Sequence, residues 1–105
     1  MTVTFDELLD AQLGNTQPEP DFRIQGDIHW FSALLYEWKL DNLTNGQVAT
    51  RINADLADTE YNTVKTALNG MSLDEVLGLQ QPLILGRRGD PNYTKADIRP
   101  LFGLT

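Results

Sequence analysis

The sequence predicts a mostly α protein: a small bundle of four to five short helices with an extended, basic C-terminal segment. Three observations predict it. Capping boxes stand at Thr4–Glu7, Thr44–Gln47 and Ser72–Glu75, and each can satisfy two amides that a helix start leaves without partners. Apolar residues recur at helical spacing after each box and along Ile28 to Trp38. After Leu77 the pattern changes: a proline, a short apolar run and turn residues replace it.

The first helix is expected over residues 5–13, where Phe5, Leu8, Leu9 and Leu13 share a face and Gly14 supplies a stop. Asn15 to Asp21 holds two prolines and no apolar residue, which marks a loop or extended arm. The second helix opens at Asp27 as N-cap and runs to Leu40. Its stripe of Ile28, Phe31, Leu34, Leu35 and Trp38, widened by Trp30 and Tyr36, suits a central helix covered on more than one side.

A short third helix carries Val48, Ala49 and Ile52. A fourth, capped by Asp58 or Thr59, carries Tyr61, Val64 and Leu68 and closes at Gly70. A fifth carries Leu73, Val76 and Leu77. Pro82 to Gly86 reads as a buried extended segment or a single strand, and Arg87 to Tyr93 as a turn. Asp97 to Gly103 reads as a last helical turn that tolerates Pro100 in its first positions. Residues 1–105 thus form one domain, with a helical body over 1–77 and an extended segment with a short terminal helix over 78–105.

At 105 residues the chain suits a single domain. It can bury roughly two-thirds of its unfolded surface without staples. No cysteine is present, which removes disulfides, thiolate chemistry and cysteine-built metal sites. His29 is the one histidine, with Ser32 and Ser72 the only serines, so a nucleophile relay has almost nothing to draw on. The pairs Asp6/Glu7, Asp55/Asp58 and Asp74/Glu75 are better explained as helix-start charge or solvated faces than as catalytic acids. Neither an EF-hand loop nor a phosphate-binding glycine loop occurs. The reading is therefore no enzyme, no catalytic residue, no metal and no cofactor. No apolar run is long enough to span a membrane, and the N-terminus lacks the basic start of a secretory signal.

The charge is divided unevenly. Residues 1–60 carry eleven acids against three bases, or −8, while residues 61–105 carry four acids against five bases, or +1. Four of those bases, Arg87, Arg88, Lys95 and Arg99, fall in one stretch. Net charge alone explains solubility. It also suggests an acidic body and a basic arm that attract one another between copies, a heterologous contact able to close a ring.

The segment from Gln47 to Asn69 has some flavour of a helix-turn-helix. Its turn is too long, and its acids outnumber Arg51 and Lys65, against what phosphate binding needs. Arg88-Gly89-Asp90 reads as a turn. The Trp30, Phe31, Tyr36 and Trp38 cluster reads as core rather than as a base-stacking platform.

Val48-Ala49-Thr50-Arg51-Ile52-Asn53, Leu83-Ile84-Leu85 and Asp97-Ile98-Arg99-Pro100-Leu101-Phe102-Gly103 follow one another around a helical pair. This order resembles small helical accessory and structural proteins of tailed bacteriophage virions. The resemblance covers the chain from Val48 onward. It implies a virion component in several symmetric copies, at a head–tail junction or similar, assembled in the host cytoplasm. Its partners would be other copies and neighbouring virion proteins, with no membrane and no sequence-specific nucleic acid.

The expected contacts are Arg87, Arg88, Asn92, Tyr93, Arg99, Leu101 and Phe102 in the arm, and Asp6, Asp10, Glu19 and Asp21 on the body. Removing residues 87–105 should then leave a folded body that no longer assembles. The alternative is an acidic inhibitor that imitates nucleic acid and blocks a nucleic-acid-binding enzyme with the same acidic region.

Overall fold

Helix starts organise this chain, because most are closed by a side chain on their own first turn. The computed structural model describes residues 2–14 and 31–105 in full, with the backbone alone of residues 28–30. The loop expected at 15–21 with Glu19 and Asp21, the Asp27 cap, and the side chains of Ile28, His29 and Trp30 lie outside the described residues.

Helix α1 (Phe5–Gln12) begins with the Thr4 box: Thr4 Oγ1 accepts from the Glu7 amide at 3.1 Å, and Glu7 Oε1 accepts from the Thr4 amide at 3.0 Å. Helix α2 spans Ile28–Leu40. Helix α3 (Asn45–Ile52) carries the Thr44 box and ends at Asn53, whose φ of 57° is left-handed. Helix α4 (Glu60–Asn69) takes its cap from Asp58, not Thr59. One Asp58 oxygen accepts from the Glu60 amide at 3.0 Å and the other from the Phe5 amide at 2.8 Å. A single carboxylate thereby fastens the starts of two helices, and it lies 53 residues from Phe5 in sequence.

Helix α5 (Leu73–Gly78) opens with the Ser72 box. The extended segment expected after it is instead largely helical: α6 (Gln80–Arg87), α7 (Lys95–Ile98) and a 3-10 turn, η1 (Arg99–Phe102). The physical reason lies in where Pro82 falls. As the third residue of α6 it gives up an amide that would have no partner within the helix anyway. Its ring would clash with the carbonyl four residues back, that of Gly78, and Gly78 is where α5 ends. The proline thus sits in the first turn of a new helix instead of ending one. α7 then opens with a fourth box, Thr94–Asp97, that the sequence reading passed over.

The described residues are mostly helical, with one isolated bridge between Val3 and Ala54. α2 is the central element and touches α4, α5 and α6. Its stripe of Phe31, Leu34, Leu35 and Trp38 is buried, as expected of it. Phe5 holds the aromatic core, with ring centroids 6.2 Å from Phe31, 5.8 Å from Tyr61 and 5.4 Å from Phe102, all edge-on. The Tyr61 hydroxyl donates to the Val3 carbonyl at 2.6 Å.

The C-terminal stretch is part of this core. Leu79, Leu83, Ile98, Phe102 and Leu104 are buried in the same cluster as α1 and α2. Gly86 is where α6 passes closest: a Cβ there would sit 2.7 Å from the Tyr93 carbonyl and 2.8 Å from Leu13. A body that stays folded without residues 87–105 is therefore not what the packing supports.

Phe102→Ala should cost about 3–5 kcal/mol, read as a lower denaturant midpoint. Gly86→Ala should cost about 1–3 kcal/mol from overpacking. Gly78→Ala, whose Cβ would meet nothing within 4 Å, should leave the midpoint unchanged or raise it. A wild-type midpoint in Phe102→Ala would contradict the role given to the C-terminal turn.

Candidate interaction surfaces

The acids and bases expected to meet between copies meet here within one chain. α7 and η1 lie over one side of α1, so their cations face its Asp6 and Asp10 carboxylates. Arg99 reaches Asp6 at 2.7 Å and Glu60 at 2.7 Å, while Lys95 reaches Asp6 at 3.0 Å and Asp10 at 3.0 Å. The Arg99 side chain is only 15% exposed, and its Nε also donates to the Thr105 carbonyl. Hydrogen bonding to Glu60 raises the Arg99 pKa above its ordinary value despite some burial. Burial pulls Lys95 down, but its bonds to Asp6 and Asp10 outweigh it and leave it raised. Lys95 and Glu60 complete the cluster. Lys95 was visible as a charge in the basic stretch, whereas only the fold brings Glu60 to it.

Arg87 also turns inward. It donates to the carbonyls of Ala11 and Gln12 at 2.9 and 2.8 Å, a cation on the carbonyl end of α1. Phe102 is fully buried and Tyr93 packs partly against the core. Both therefore hold the fold. Asn92 stays exposed, its amide donating to Asp90 in a tight turn. Leu101 is exposed, as is Arg88.

Two consequences follow. Asp6 and Asp10 are occupied, so this part of α1 does not present a row of free carboxylates at phosphate-like spacing. And among the described residues, Arg88 alone of the lysines and arginines makes no side-chain hydrogen bond or ion pair. Lys39 and Lys65 bind carbonyls, Arg51 pairs with Glu37, and the rest serve as above.

Arg88 stands at one end of a shallow groove of about 470 Å³ lined by Leu77, Gly78, Gln80, Gln81, Ile84 and Leu85. α5 and α6 follow one another with only Leu79 between them, and residues of both line the groove. Leu77 is half exposed. The sequence reading placed Leu77 in a helix face and Leu83–Leu85 in an extended run. Without a common helix there was no common face. Among the described residues, no helix is long and apolar enough to cross a membrane. Comparison with protein-family models, with curated proteins and with solved structures gives no match.

The capping carboxylates set a pH dependence. Hydrogen bonds from the Ser72 amide, and then its hydroxyl, hold Glu75 below its ordinary 4.5. The Thr94 hydroxyl, and then its amide, hold Asp97 below 3.8. Both folded values lie below the unfolded ones. The stability they contribute is thus full above the unfolded values and lost as pH falls through the folded ones. The thermal midpoint should fall between about pH 6 and about pH 3, and Glu75→Gln with Asp97→Asn should flatten that fall. An equally steep fall in the double variant would contradict it.

Proposed function

We propose that the chain is a non-enzymatic structural and interaction protein, a multi-copy component of a phage particle at a head–tail junction or a comparable joint. The observation that carries the reading is the α5–α6 groove, where exposed Leu77 and partly buried Ile84 and Leu85 line one side with two glutamines and Arg88. A groove of mixed apolar and polar side chains on so small a body suits a protein partner. The order of Val48–Asn53, Leu83–Leu85 and Asp97–Gly103 supports the phage setting, since it resembles the virion proteins described above.

In this reading the parts of the C-terminal stretch divide their work. Arg87, Tyr93, Arg99 and Phe102 build the body, with Asp6 and Asp10 as the partners of its cations. Arg88, Asn92 and Leu101 face neighbours. Contacts between copies then rest on apolar burial with charges at the rim, rather than on a free basic arm.

The test is peptide mass spectrometry on purified particles of the phage that encodes the chain. Its peptides should band with the particles through a density gradient, in several copies per particle. Recovery only from the unassembled fraction would overturn the reading.

A further inference from the structure

The residues of the α5–α6 row are arranged symmetrically about Gln81. Asp74 lies seven positions before it and Arg88 seven after; Leu77 lies four before it and Leu85 four after. Residues three, four and seven apart share one side of a helix. Leu79, the one residue between α5 and α6, keeps right-handed angles of φ −68° and ψ −17°, and Leu77, Gln81, Leu85 and Arg88 line one groove across the junction. Asp74, three residues before Leu77, extends the row beyond the groove at the end opposite Arg88.

We propose that two copies of this chain pair through the α5–α6 row, antiparallel, about a two-fold axis at Gln81. The proposal rests on reading the chain as a protein that assembles with other copies, and it names the first partner. A two-fold contact must be self-complementary: what one position presents, its symmetry mate must accept. Here the dyad sets each Arg88 against the partner copy's Asp74 and each Leu77 against the partner copy's Leu85. The two Gln81 amides meet at the axis, where one can donate to the other and accept in return.

Three features argue for this occupant. Arg88 is, among the described residues, the cation with no partner, and Asp74 is an exposed acid with no hydrogen bond or ion pair of its own. The two charges are opposite in sign and equally far from Gln81 in sequence, so antiparallel pairing matches them and parallel pairing sets like against like. Gly78 leaves open space where a Cβ would stand, which lets a second helix approach closely. A polar residue at the centre of an apolar seam also fixes register.

The experiment is light scattering and sedimentation equilibrium on the full chain. Wild type should show twice the 11.8 kDa of one chain at tens of micromolar. Asp74→Arg or Arg88→Asp sets like charges together and should weaken pairing at least about tenfold. The double variant Asp74→Arg with Arg88→Asp restores opposite charges and should recover the wild-type dimer. Circular dichroism should stay unchanged in all three, since both side chains are exposed. A wild-type monomer at several hundred micromolar would overturn the proposal, as would a dimer indifferent to the single changes or a double variant that stays apart. A monomer whose peptides still band with particles removes this pairing and leaves the particle reading standing.

Discussion

Phe5 sits where the chain is tied together. Its amide is held by Asp58, and its ring meets Phe31 of α2, Tyr61 of α4 and Phe102 of η1 edge-on. Each contact joins segments remote in sequence, so together they decide which helices become neighbours. Edge-to-face rings are directional as well as apolar, which restricts how α1 can rotate in its site. Once α1 is placed with Phe5 inward, Asp6 and Asp10 point away from the core, and α7 with η1 is the element that covers them. The ion pairs of Lys95 and Arg99 follow from an apolar constraint one residue away.

The same economy governs the other cations. The chain is acidic and has few lysines and arginines, and several of them sit on carbonyls that a helix end leaves unsatisfied. Lys39 binds the Asn69 carbonyl at the end of α4 and Arg87 the last carbonyls of α1, while Lys65 binds the Leu43 carbonyl in the turn between α2 and α3. In each case the cation comes from a different helix. A helix end gains a partner and the two helices gain a fixed relation from one side chain. Surface ion pairs contribute little individually, but a cation placed across an interface of two helices specifies packing. Among the described residues, little positive charge is left over for a ligand, and what remains is at Arg88.

Local features of this fold were legible because their physics is local. A threonine or serine three residues before a glutamate or glutamine closes a helix start whatever surrounds it, and the three boxes so read form as expected. The α2 stripe was legible for the same reason, since its period is a property of the helix alone. Thr94–Asp97 escaped because aspartate stands where the pattern has glutamate or glutamine, although its shorter side chain still reaches the Thr94 amide at 3.0 Å. The partner of the basic stretch could not be read, because sequence separation does not reveal that Arg99 and Asp6 lie 2.7 Å apart. Opposite charges far apart in a chain attract equally well within one copy or between two, and loop closure costs less than bringing in a second molecule.

The candidate surface was hidden by one residue rather than by distance. Every member of the row from Asp74 to Arg88 is local in sequence, and its seven-residue symmetry about Gln81 can be counted by eye. Taking Pro82 as a boundary assigns Leu77 to a helix and Ile84 to an extended run, and the common side disappears with that assignment. In the fold, Pro82 occupies the first turn of α6, the place where a missing amide costs least. The helical path is interrupted only at Leu79, between α5 and α6. Leu77 before it and Gln81, Leu85 and Arg88 after it still line one groove. A proline three residues into a helix is therefore compatible with one continuous face, and residues in register across it deserve to be read as a single surface.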